Sequence, residues 1–394
     1  MRQYCRNTWA EIDLDAIRAN VQAFRRHIPE RTEIMAVVKA DGYGHGALQV
    51  GQEALASGAS SLAVALLDEA IALRRAGITA PILVLGYTPS DAAEEALRWN
   101  IELTVYQRKW VQEVQQRLHG QAEQDEPLRL HVKVDTGMGR LGVRTEAELV
   151  ELVEAIRGSR LFRWTGIFTH FACADEEDTS HVLQQHVKFQ ALLQMLQARG
   201  YQLPKVHCCN SAAAIVFPQW GYDMIRLGIS LYGLYPSPYL RQRRDLTLTP
   251  ALSLKTSIAH VKMPEEAYTV SYGATYTASA GEQVATLPVG YADGYSRMLS
   301  NRGYVLHRGN RVPIVGRVCM DQLMIKIEQK NAEVGDEVVL YGRQGDEEIS
   351  LDEVAAELGT INYEVACMLN RRVPRVYLRD GKITQVANPI VNIC

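Results

Sequence analysis

AVVKADGYGHG, residues 36–46, ends an apolar, β-like run in a lysine and turns at once through glycine and tyrosine. Lys39 therefore stands at the mouth of a strand, where an amine is suited to forming an imine with an aldehyde. Tyr43 follows within reach of a phosphate or a ring. A lysine closing a strand is equally a solvated chain end, so the reading turns on what surrounds it. From here short β-branched runs alternate with amphipathic helical stretches. The pattern predicts strands at Glu33–Val38, Leu62–Leu66, Ile82–Leu85, Glu102–Val105, Leu128–Val134, Thr165–Thr169, Lys205–Cys208 and Asp223–Leu227. Helices are predicted at Leu48–Ala56, Asp68–Ala76, Asp91–Trp99, Lys109–Leu118, Glu146–Ile156 and Val182–Ala198, with a short one from Ser211. Such alternation demands parallel strands with crossover helices. Eight units in roughly 240 residues fit a (β/α)8 TIM-type barrel. The competing open, doubly wound sheet lacks its usual support, because no GxGxxG follows the first strand.

In a barrel the strand ends converge on one rim, where catalysis sits. Lys39, Lys133, Asp135, His170, Asn210, Ser211, Arg226 and Gly228 all fall at such ends. Ser211 offers a hydroxyl where a helix begins, which suits a phosphate and equally an ordinary N-cap. After Tyr235-Pro236-Ser237-Pro238 the texture changes. A basic run, Arg241–Arg244, and Pro250 mark a linker, and mainly β runs follow at Ser253–Val261, Gln283–Leu287, Val312–Val315, Leu323–Ile327 and Glu337–Tyr341. The expected organisation is a barrel over residues 1–240 and a mainly-β domain over 241–394.

The 394 residues carry a formal net charge of −3 and seven cysteines without a CxxC pair. That balance gives no electrostatic case for nucleic acid or a membrane surface. No apolar run reaches membrane-spanning length, and the charged start lacks a signal-peptide core. The scattered, odd set of cysteines reads as reduced thiols in a cytoplasm.

Joined to KVDTGMGRLG, GIFTHFACADE, CCNSAAA, MIRLGISLYG, VSYGATY, VGRVCMDQ and TINYE, the opening motif resembles the alanine racemases nearly end to end. That resemblance implies pyridoxal 5′-phosphate as cofactor and interconversion of L- and D-alanine, supplying D-alanine for peptidoglycan. It also implies a head-to-tail homodimer with shared sites. By motif match, Tyr43, Ser211, Gly228, Ile229 and Tyr363 hold the phosphate, beside Asn210. Arg226 meets the pyridine nitrogen, where many pyridoxal enzymes place a carboxylate. Racemisation moves protons on both faces of a planar Cα, which two opposed bases do most simply. Lys39 is one and Tyr272 the other. A tyrosine ordinarily titrates near 10, so Tyr272 needs help from nearby charge, supplied through His170 and Arg226 if the fold joins them. Taken alone, Tyr272 reads as a packed hairpin aromatic. Arg140 and the Met320 backbone N–H would receive the substrate carboxylate. Lys133 matches a lysine that many members carbamylate, and Tyr291 and Tyr363 match the narrow entry. His207 reads as a core histidine near the cofactor.

A paired-metal hydrolase would need clustered ligands such as HxH or HExxH, which are absent, so no metal is expected. A pyridoxal-dependent decarboxylase would put an acid on the ring nitrogen; Arg226 opposes it, although Cys319 matches its catalytic cysteine. A single-barrel pyridoxal-phosphate carrier has no counterpart for residues beyond 240.

Overall fold

The computed structural model describes residues 4–118 and 126–391, which form two compact units. In one, eight parallel strands run Glu33–Val37, Ser61–Val64, Ile82–Val84, Glu102–Val105, Leu128–Lys133, Phe162–Phe168, Lys205–His207 and Met224–Leu227. Each pairs with the next through the seventh, and the eighth pairs with the first, Met35 opposite Arg226 and Ala36 opposite Leu227. Two backbone bonds close the ring between strands eight and seven, Asp223 N–H to Val206 at 3.1 Å and Arg226 N–H to Cys209 at 2.9 Å. Strands covered on both faces read as unbroken apolar runs, and Ser61–Val64 is buried throughout. This is the expected barrel.

The crossover helices form where local chemistry asks for them. Glu146–Arg157 begins with a capping box: Thr145 Oγ1 accepts from Glu148 N–H at 3.2 Å while the Glu148 carboxylate accepts from Thr145 N–H at 3.1 Å. It buries Leu149, Leu152, Val153 and Ile156, a three-and-four spacing that makes one apolar stripe. Losing that cap would cost about 1 kcal/mol.

The second unit is built on an eleven-stranded sheet among the described residues. Gln283–Leu287 and Leu323–Ile327 fall where the sequence puts them, and a helix runs over Leu351–Leu358. The domain boundaries need correction. Thr8–Asp13 is a strand of this sheet, antiparallel to Leu252–Ser257 and parallel to Arg375–Arg379. The stretch ending at Ala16 and the segment Tyr43–Gly46 group with the residues from Pro250 onward, so residues 1–240 are not one barrel. Six residues whose partners lie far along the chain give no local periodicity to read. The linker region also holds a short helix, Pro238–Arg243, capped by Ser237.

Candidate active site

Lys39 follows the first barrel strand, half-buried, at the start of an unusual turn. Ala40, Asp41 and Gly42 take consecutive left-handed conformations, with φ of 53°, 52° and 60°. Only glycine does this freely; each other residue costs roughly 1–2 kcal/mol. Such strain persists where surroundings over-determine it, and three contacts do so. Gly42 N–H donates to Val38 at 2.9 Å. Asp41 accepts from Ala47 N–H at 3.1 Å, and the Glu69 carboxylate accepts from Ala40 N–H at 2.6 Å. Glu69 also takes the N–H groups of Ala65 and Leu66, at 2.8 and 3.1 Å. The lysine is thus carried on a stiff, strained loop.

The neighbouring eighth strand brings Arg226, which is 3% exposed. Its Nη1 donates to Nδ1 of His207 at 2.8 Å, and its Nη2 to the Thr169 and Cys208 carbonyls at 2.9 and 3.0 Å and to Nδ1 of His170 at 3.2 Å. Among the described residues Nε takes no protein acceptor, leaving that donor for a heteroatom. Burial pushes the guanidinium down to about 10, so it stays charged at neutral pH. Burial, then the Arg226 charge, holds both His170 and His207 well below the usual imidazole range. Both rings are therefore neutral acceptors at Nδ1, and His170 keeps its proton on Nε2. The link between His170 and Arg226 is formed.

After strand seven, Asn210 caps the helix Ser211–Val216 by accepting from Ala213 N–H at 2.9 Å. Ser211 Oγ accepts from the N–H groups of Gly228 and Ser230, at 2.9 and 3.4 Å. A hydroxyl so used still has its proton to donate. Ser211, Gly228 and Ile229 are thereby fastened into one buried cradle.

Lys133 closes strand five with its ammonium 5.2 Å from the centre of the Phe168 ring. Burial, then the charge of Arg226, pushes this amine down to about 7, with Arg140 adding a smaller push. Two residues on, burial works against the Asp135 charge, yet N–H donors of Gly139, Gly137 and Met138 hold its carboxyl low. That turn shapes the loop bearing Arg140, which borders a cleft of about 790 Å³ with Tyr87, Tyr106, Trp110 and Arg144.

The other unit holds the remaining candidates. Tyr272 sits at the tip of the hairpin formed by Tyr268–Val270 and Tyr276–Ala278, and is 73% exposed. It is not the packed aromatic that its isolated reading suggests. Ser271 before it has φ of 68°, and its Oγ donates to the Arg317 carbonyl at 2.6 Å. Tyr291 and Ala292 donate backbone N–H groups to Cys319 and Met320, each at 3.0 Å. A Cβ on Gly290 would lie 2.2 Å from the Cys319 oxygen, so glycine permits this approach. Tyr291 and Met320 thus adjoin, and both side chains are exposed. Tyr43, buried, meets Tyr363 with ring centroids 6.3 Å apart.

Sequence reasoning missed Glu69, Glu102 and His131. Glu69 stands three residues after Leu66 at a helix start, a position that favours reaching back to backbone N–H groups. Glu102 and His131 line the barrel interior in place of the usual branched apolar residues. Among the described residues no three His, Cys, Asp or Glu side chains are grouped to hold a metal ion. Cys5, Cys173, Cys208, Cys209, Cys319 and Cys367 form no disulfide, and Cys394 lies outside the described residues. Among those residues no helix is long and apolar enough to cross a membrane.

Comparison with known proteins finds two matched domains along the chain. Residues 12–236 match the alanine racemase N-terminal domain and residues 251–377 the C-terminal domain. The chain is 56% identical to alanine racemase 2 of Bacillus subtilis, with all of both chains covered. It is 49% identical to alanine racemase of Geobacillus stearothermophilus, covering 99% of this chain and 98% of the other. A crystal structure of alanine racemase from Bacillus anthracis with bound L-Ala-P superposes with a TM-score of 0.95 at 44% identity, over all of both chains.

Proposed function

This chain belongs to the alanine racemase family, and we propose that it interconverts L- and D-alanine in the cytoplasm with pyridoxal 5′-phosphate held at the barrel rim. The residues present fit that cofactor: an amine at Lys39, a Ser211–Gly228–Ile229 cradle, and a buried arginine with a spare donor. The adjacency of strands one and eight carries the reading, since it sets Lys39 and Arg226 on neighbouring ends of one rim.

The cofactor, when bound, supplies the electron sink that makes the Cα–H bond of alanine acidic. Arg226 keeps its proton, so toward a ring nitrogen it donates a hydrogen bond and leaves that nitrogen neutral. Charge at Cα is then weakly delocalised, and fast reprotonation there favours racemisation over transamination. Lys39 moves the proton on one face of Cα and Tyr272 on the other. His170, its Nδ1 engaged by Arg226, turns an Nε2 proton toward the Tyr272 oxygen and stabilises it as phenolate. Arg140 and the Met320 N–H receive the alanine carboxylate. Tyr43, Asn210 and Tyr363 complete the phosphate site, and Tyr291 with Tyr363 narrows the entry.

Tyr272, Tyr291 and Met320 are large side chains left exposed in their own unit, as residues that complete a neighbour's site would be. We accordingly assign the working form to a homodimer with shared sites. Lys133, largely unprotonated above neutral pH, is open to carbamylation by carbon dioxide, which would turn a costly buried cation into an anion facing Arg140. The product serves peptidoglycan assembly. The test is direct: purified protein should racemise alanine and carry a visible absorption band that borohydride bleaches while fixing label on Lys39. A colourless protein without turnover would overturn the reading.

A further inference from the structure

Behind Arg226 a file of hydrogen bonds crosses the barrel interior. Arg226 Nη1 donates to Nδ1 of His207 at 2.8 Å, Nε2 of His207 meets Nδ1 of His131 at 2.9 Å, and Nε2 of His131 lies 2.9 Å from a Glu102 oxygen. The two ends dictate the direction. A guanidinium only donates and a carboxylate only accepts. Each imidazole is therefore neutral, protonated on Nε2 and accepting at Nδ1. Reversing either ring would set a donor against a donor.

The backbone is shaped around this file. The pairing of strands five and six slips by one residue at His131, which lies opposite Gly166. A Cβ on Gly166 would stand 2.2 Å from Nδ1 of His131, so the ring fits only beside glycine. Phe168 stacks on His207 with ring centroids 4.7 Å apart and an interplanar angle of 7°. Burial alone would raise the Glu102 carboxyl, yet the His131 hydrogen bond and the charge of Arg129 hold it low. Glu102 opens the fourth strand, so the file runs from the N-terminal side of the barrel toward the rim. A polar chain in a barrel core is costly unless every member is satisfied, and here each member is.

We propose that Glu102 and His131 are positioning residues for the reaction: acting through His207, they fix its tautomer and so hold Arg226 in place. This deepens the proposed function and rests on it for its catalytic consequence. Neither residue touches substrate.

The test uses full-length protein labelled with 15N-histidine, with and without pyridoxal phosphate, His131 and His207 being assigned by the signals lost in His131→Asn and His207→Asn. Both rings should show an unprotonated Nδ1 and a protonated Nε2 in either form. In Glu102→Gln, whose amide can also donate, the two rings should populate mixed tautomers, the reversed one putting a proton on Nδ1 of His207 and turning Arg226 Nη1 away from it. kcat for alanine should fall roughly tenfold, the usual scale for a supporting hydrogen bond, with KM nearly unchanged, and Glu102→Asp should recover part of the loss. A proton on Nδ1 of His207 in the unmodified protein would overturn the proposal by itself, whether or not the variants fold. Unchanged tautomers in Glu102→Gln, or mixed tautomers with full kcat, would also overturn it. Because the tautomers are read without turnover, absence of alanine racemisation would count against the proposed function and leave the file standing.

Discussion

Two strained turns carry the two proposed bases, and they are held differently. The Lys39 turn spends three left-handed residues on one half-buried amine, and Glu69, Asp41 and Val38 hold it from inside its own unit. The Tyr272 turn has as many left-handed residues, Ser271, Gly273 and Ala274 with φ of 68°, 74° and 47°, but it is tied by one short bond from Ser271 to Arg317 and carries a side chain 73% exposed. The first turn is complete as it stands. The second presents a residue that nothing in its own unit covers. A base on a complete turn should be sensitive to its supports; a base on an open turn should be sensitive to what it meets.

Replacing Tyr272 with Phe should break that contrast most sharply. An exposed side chain contributes within about 0.5 kcal/mol to stability, so the melting temperature should hold. Turnover should fall by roughly 10²–10⁴, the worth of a positioned acid–base group. Solvent deuterium should still enter Cα from one enantiomer far faster than from the other, and equal exchange from both would refute the assignment.

Glu69→Ala should do the opposite. Three backbone N–H groups would lose their acceptor, costing about 1–3 kcal/mol of stability. Lys39 would lose its rigid mount, and kcat should drop by about tenfold. Denaturant melts and steady-state kinetics check both, and a variant as stable and active as the parent would show that the turn holds itself.

The smallest effect concerns Lys133, whose amine is pushed by burial to about 7 from an ordinary 10.5. Between those values the unfolded chain binds a proton that the folded chain does not. Stability of bicarbonate-free protein should therefore rise with pH across that window, the folded state being penalised most at and below about 7. Lys133→Met should flatten the rise, and bicarbonate should suppress it in the parent by forming the carbamate. Equal slopes in all three would show that this amine is not desolvated.

The barrel was legible because its strands are short β-branched runs, and its rim because a barrel gathers every strand end in one place. Lys39, His170, Ser211 and Arg226 could be picked out by that rule alone. Thr8–Asp13 could not, since its partners begin at Leu252 and Arg375. Nor could the file from Glu102 to Arg226, which joins side chains on four strands and leaves no spacing to read. Gly166 was its one local trace, because a glycine inside a strand marks a close approach. Tyr272 was legible only through its motif, and its exposure shows why: no packing pattern fixes a residue that its own unit leaves uncovered.

The central claim is that Lys39 and Tyr272 act on one substrate from two copies of the chain. Lys39→Ala and Tyr272→Ala, each inactive alone, can be mixed under conditions that exchange subunits. In a mixed dimer one site would carry both lesions and the other neither, so alanine racemisation should return as exchange proceeds. Exchange demonstrated by differently tagged subunits, with no activity returning, would place both bases on one chain and contradict the account.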